Sequence, residues 1–144
     1  MTKGTIKIGG VDVKEISEKE LMSKISFVFQ DSRLLKKSFK ENIKMGSNAS
    51  VEDIQTAVHK AQCDDIIEKF DQGLETKIGS KGVYLSGGET QRLTLARAIV
   101  KDAPILLLDE ATAYADSDNE VLMQKAIMEL AKDKTTIMIA HRLS

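Results

Sequence analysis

What this sequence has little of narrows its class before any motif is read. Cys63 is the single cysteine among 144 residues, so no disulfide can form within the chain. A reducing compartment is the expected setting, with the thiol a small apolar filler. Pro104 is the only proline, which argues against long flexible linkers. No apolar run approaches the roughly 20 residues needed to span a bilayer. The opening stretch MTKGTIKIGG lacks the apolar segment of a signal peptide. A net charge of −1 gives no bulk pull toward nucleic acid or an acidic surface. Internal repeats and low-complexity segments are absent.

What remains is an ordinary globular composition, 42% hydrophobic and 30% charged, in a length that fits one domain with a real core. GTIKIGG alternates and ends in a glycine pair, the pattern of a short strand and turn. VDVKEISEKELMSK is a polar connection with about one helical turn. ISFVFQ, at 25–30, is β-branched and aromatic, the pattern of a buried strand. Helical patterns follow: SFKENIKM, then SVEDIQTAVHKA, then DDIIEKF ending near Gly73. In the second of these, Ser50 and Asp53 stand in capping spacing, and Val51, Ile54, Val58 and Ala61 share a face. ETQRLTLARAIVK sets Leu93, Ala96 and Val100 along one stripe. ILLLDE after Pro104 is a continuous apolar run, as in a strand buried on both faces of a parallel sheet. NEVLMQKAIMELAK is an amphipathic helix and TTIMIA a second buried strand. Strand, helix and strand from 105 to 140 make a βαβ unit and hence a parallel sheet. The expected organisation is therefore a partial α/β core over 1–31, a helical block over 32–101, and a return to the α/β core over 102–144. The basic residues Arg33, Lys36, Lys37, Lys40 and Lys44 read as a solvated face.

The chemistry-bearing residues fall at element ends. In YLSGGETQRL, Ser86 and Glu89 have capping-box spacing, which starts a helix at about Gly87. Two glycines there are either part of a plain capped helix or leave its N–H groups and dipole open to an anion. Asp109 and Glu110 close an apolar strand, where ligands bind in open parallel sheets. They can hold Mg²⁺ and orient a water, or form a solvated acidic turn. His141 closes the next strand and suits a phosphate or a water, or a surface imidazole. Gln30 closes ISFVFQ, where an amide can reach a metal-bound water or simply end the strand.

Taken together and in this order, these segments resemble the nucleotide-binding domain of ABC transporters. LSGGETQRLTLARAI is similar to the family signature LSGGQ-x-QR, with Glu89 where Gln is commoner. ILLLDEATA resembles the Walker B strand, Gln30 the Q-loop, and His141 the H-loop. YADSDNE stands where the D-loop is expected, with Asp116 its acid and the usual S-A-L-D altered. IGSKGVYLSGGE and FQDSRLLKKSFKENI are most similar to the exporter-type branch. The resemblance implies an α/β fold, an incomplete P-loop NTPase (RecA-like) parallel sheet with an inserted α-helical subdomain. ATP and Mg²⁺ are the implied cofactors. It assigns Asp109 and Gln30 to Mg²⁺, Gln30 and Asp116 also to nucleotide binding, and Glu110 and His141 to catalysis. Ser86, Gly87, Gly88 and Glu89 would serve the ATP of a second nucleotide-binding domain packed head to tail. A transmembrane domain is the other implied partner, for the basic run among others, nucleic acid is not one, and the cytoplasmic face of the cell membrane is the implied location.

The sequence contains no G-x-x-x-x-G-K-S/T, the loop that cradles phosphates. Family domains carry it before the strand that GTIKIGG resembles, so the chain reads as a fragment of a longer one, inactive by itself. By family analogy the absent loop follows a central strand beside Walker B. A gap in the sheet and an exposed apolar seam are therefore expected, with the strands at 105–109 and 135–140 unpaired or forced onto each other. A DNA-repair or chromosome-organising ATPase shares S-G-G-E and Walker B but interrupts them with coiled coil, and no sustained heptads occur here. A non-catalytic interaction module is the other alternative.

Overall fold

Two glycines open the fold. In the computed structural model, which describes residues 4–28, 33–45, 47–109 and 117–139 (backbone alone for 117–120), Gly9 and Gly10 have φ of 58° and 84°. Positive φ at both central positions is what a two-residue hairpin needs. It joins β1 (Lys7–Ile8) to β2 (Val11–Asp12), paired antiparallel. In chain order there follow α1 (Glu18–Ser23), β3 (Ile25–Val28), α2 (Phe39–Lys44), α3 (Val51–Lys60), α4 (Asp64–Glu68), α5 (Gly87–Lys101), β4 (Ile105–Asp109), α6 (Ser117–Ala131) and β5 (Thr135–Ile139). The helices of the 32–101 block fall where the periodicity placed them. The β4–α6–β5 unit is the expected parallel crossover.

The second sheet is parallel, in the order β3-β4-β5, with Val28 beside Leu108 and Asp109 beside Ile139. β4 is thus paired on both edges. The expectation of a gap beside it is wrong, because β3 and β5 occupy both of its ladders. The strands at 105–109 and 135–139 do pair with each other, the second of the two outcomes expected.

Burial corrects three further expectations. Leu106 and Leu108 are buried while Ile105 and Leu107 are only half-buried, so β4 is covered fully on one face. β5 is not a buried strand: all of its residues are exposed, Ile137 at 50% and Met138 at 65%. Among the described residues nothing pairs with its outer edge, and an apolar segment is buried only if something lies over it. This is the exposed apolar seam. Val51, expected on the inner face of α3, is also exposed, at the helix's first position, while Ile54, Val58 and Ala61 are buried.

α5 is the centre of the packing. Leu93, Leu95, Ala96 and Ala98 join Val28 of β3, Phe39 and Ile43 of α2, Ile54 and Ala57 of α3, and Met123 and Ala126 of α6 in one core. A left-handed Asp102, φ 50°, ends α5 with its N–H on the Ala98 carbonyl.

Candidate functional site

The site begins with a cap. Ser86 is extended, φ −71° and ψ 167°, and its Oγ accepts the Glu89 N–H at 3.1 Å. Glu89 Oε1 in turn accepts the Ser86 N–H at 2.9 Å, completing the expected capping box. Ser86 and Gly87 are exposed, while Gly88 is buried. Both glycines lie inside the first helical turn, where φ is negative, so no left-handed backbone calls for glycine there. The exposed Gly87 adds no side chain at the start of this fifteen-residue helix, where the positive end of its dipole lies.

Charge at this turn is balanced by a residue that the sequence reading missed. Glu89 Oε2 accepts a hydrogen bond from the Lys69 ammonium. Burial would raise the Glu89 pKa, but the bonds from Lys69 and Ser86 outweigh it and hold the carboxyl below its ordinary value. No sequence signal pointed to Lys69, a half-exposed lysine just past the end of α4.

Three arginine and lysine side chains hold α5 in place. Arg92, 2% exposed, donates to Asp65 and to the Gln62 carbonyl. Arg97 Nε donates to the Asn42 carbonyl at 3.0 Å. Asn42 is itself buried and folds the segment before α2: its Oδ1 accepts the Leu35 N–H at 2.7 Å and its Nδ2 donates to the Leu35 and Ser38 carbonyls. Lys101 Nζ donates to the Met22 carbonyl at 2.8 Å, next to β3.

The second part of the site is the carboxyl end of the parallel sheet. β3, β4 and β5 end side by side at Val28, Asp109 and Ile139. Asp109 is half-buried at the end of the middle strand. Gln30, Glu110, Asp116 and His141 lie outside the described residues. The strands that lead to Gln30, Glu110 and His141 nevertheless end on one edge, as their order in the sequence implied. Among the described residues no group of three or more His, Cys, Asp or Glu side chains could hold a metal.

A parallel sheet with an acid at the end of its middle strand, preceded in the chain by a long helix capped at Ser86, defines an α/β protein. The model of the family described as "ABC transporter" matches residues 1–113. The chain belongs to the ABC transporter family. It is 46% identical over 142 residues to the β-(1→2)glucan export ATP-binding/permease protein NdvA of Rhizobium meliloti, covering 98% of this chain and 24% of that protein. It is 44% identical over 144 residues to the mycobactin import ATP-binding/permease protein IrtA of Mycolicibacterium thermoresistibile, covering 99% of this chain and 16% of that protein. A solved structure of a bacterial Atm1-family ABC exporter with ATP bound superposes with a TM-score of 0.85 at 38% identity, covering 98% of this chain and 25% of that one. The chain thus spans a quarter or less of the length of these relatives.

Proposed function

We propose that this chain is part of the ATP-binding unit of an ATP-binding/permease transporter, and that the intact protein hydrolyses ATP to move a substrate across a membrane. The observation that carries the reading is the open, capped N-terminus of α5 at Ser86 and Gly87, in a chain of this family. A helix start without side chains, with free N–H groups and a positive dipole end, is suited to a phosphate. On this reading Ser86, Gly87 and Gly88 face ATP held by a second nucleotide-binding domain, and Glu89 enters through the shape and charge of the turn. Asp109 supplies one carboxylate to Mg²⁺, which usually takes one or two carboxylates along with phosphate oxygens and water. Gln30 reaches the same ion, Glu110 orients the attacking water, His141 contacts the phosphate, and Asp116 belongs to the loop between the two nucleotide-binding domains. Mg²⁺ held by these residues would neutralise charge on the phosphates.

The partners on this reading are a second nucleotide-binding domain and a transmembrane domain, and the domain sits on the cytoplasmic face of the membrane. The relatives are ATP-binding/permease proteins, which supports the membrane partner and leaves the DNA-repair reading unsupported. Their names include both export and import, so transport direction is not carried by this segment. The test is Glu110→Gln in the intact transporter. ATP binding should persist while turnover falls by at least about a hundredfold, the scale of losing a general base. Near-normal turnover would remove Glu110 from catalysis.

A further inference from the structure

Glu89 raises a difficulty for the reading just given. It places a carboxylate in the first turn of the helix whose N-terminus is to meet a polyphosphate, and like charges at short range repel. The structure shows that this charge is not left alone. One oxygen is taken by the Ser86 N–H and the other by Lys69. Glu89 is the less exposed partner, 13% against 47% for Lys69. The lysine is itself located: its ammonium lies 5.9 Å from the centroid of the Phe70 ring, and Phe70 packs at 5.7 Å on the buried Phe39. A cation over an aromatic face is held more firmly than a free surface lysine.

We propose that Lys69 is a positioning residue of the signature turn, neutralising Glu89 so that Ser86 and Gly87 can present their donors to a nucleotide phosphate without a negative charge behind them. Lysine and glutamate together then do what a neutral glutamine at 89 would do alone. The inference rests on the proposed role of the Ser86–Gly88 turn and adds to it a residue just past the end of α4. It also makes a non-additive prediction, because Lys69 should matter only while position 89 is charged.

The test is ATP hydrolysis by the intact transporter across a range of ATP concentrations. Lys69→Met should raise KM for ATP about tenfold, a proportionately larger change than its effect on kcat, and the defect should shrink in high salt. Lys69→Arg should stay within about threefold of wild type in KM, since it keeps the charge. Lys69→Met combined with Glu89→Gln should recover most of the lost affinity. A tether between α4 and α5 with no electrostatic role predicts the opposite, with the double variant no better than the single. Ser86→Arg separates the two readings. If it leaves KM and turnover at wild-type values, the turn does not serve ATP and the role of Lys69 falls with it. If it abolishes turnover while Lys69→Met has a wild-type KM, or while the double variant stays as impaired as the single, the role of Lys69 alone is overturned. Thermal melts of each variant identify a loss of folding, and Lys69→Arg then decides, a tenfold rise in KM counting against the proposal.

Discussion

The buried guanidinium of Arg92 is answered by Asp65 from the next helix along, Nη1 donating at 2.9 Å and Nη2 at 3.3 Å. Arg92 is 2% exposed and Asp65 60% exposed, so the pair is a buried cation with a half-solvated partner. Nη1 also donates to the Gln62 carbonyl. Gln62 holds a left-handed backbone, φ 61°, in the turn between α3 and α4. The signature helix thereby fixes a turn that has no sheet to lean on. Removing the acid from a fully buried pair costs about 3–5 kcal/mol, and solvent around Asp65 reduces that. Asp65→Asn should therefore lower stability by about 1–2 kcal/mol in urea denaturation. A change within about 0.3 kcal/mol would show that water and the Gln62 carbonyl suffice for Arg92.

Cys63 is fully buried beside this pair, and its Sγ–H points to the Ala61 carbonyl at 3.6 Å. Burial pushes the thiol well above its ordinary value, outweighing the nearby Arg92. The thiolate is the reactive form, so alkylation at pH 8 should be at least about a hundredfold slower than for a free thiol and should track unfolding. The sign for stability follows from the raised folded value. The contribution is complete below the unfolded thiol's ordinary value of 9.0. Above it only the unfolded chain releases the proton, and stability falls by about 1.4 kcal/mol per pH unit. Cys63→Ala should remove that component, so wild type should lose stability relative to Cys63→Ala as pH rises above 9.0. Rapid labelling of the folded protein would contradict the burial.

How much of this was legible follows from the range of each interaction. The capping boxes at Ser50 and Ser86 were readable because they join residues three apart. The parallel β4–β5 pair was readable because a buried strand, a helix and a second strand in sequence admit one common solution. The exposure of β5 was not readable: TTIMIA specifies a strand, but what covers a strand is a property of its neighbours. Gap and seam were inferred together from one analogy, and only the seam is present. Arg92 with Asp65, Arg97 with Asn42, and Lys69 with Glu89 join residues far apart in sequence, and no local pattern marks such pairs. Glu89 was noticed only as an unusual letter in a motif, while its counter-charge went unseen.

The cap at Ser86 can be tested apart from its proposed ligand. Its hydroxyl accepts one N–H of the first turn and its own N–H is held by Glu89. Ser86→Ala should cost about 1 kcal/mol of stability, the usual scale for a lost N-cap. Glu89→Gln keeps the reciprocal hydrogen bond but not the charge, so it should cost less than Ser86→Ala at neutral pH. Because the folded Glu89 pKa lies below 4.5, the stability from its charge is present above that value and is lost as pH falls through the folded pKa. The difference between wild type and Glu89→Gln should therefore shrink in acid. Equal pH profiles for the two proteins would show that the ion pair with Lys69 adds nothing to folding.

The open edge of β5 bears on how the 144-residue chain behaves by itself. Ile137, Met138 and Ile139 are 50%, 65% and 38% exposed, and the strand's outer ladder has no partner among the described residues. Unpaired edges with apolar side chains join other chains readily. The chain in isolation should therefore self-associate, and Met138→Lys, which puts charge on the exposed strand, should reduce association several-fold in light scattering while leaving the melting temperature within a few degrees. The same preparation should hydrolyse ATP no faster than buffer. Phosphoryl transfer depends on groups that hold the phosphates in place, and this sequence has no G-x-x-x-x-G-K-S/T to do so. On the proposed reading, Asp109 at the end of β4 and the turn at Ser86 act on a nucleotide already positioned, so neither would replace that loop. Phosphate release is to be measured with and without Glu110→Gln. Release that disappears in the variant would overturn the expectation of inactivity, and a monodisperse monomer at high concentration would overturn the reading of β5 as an adhesive edge.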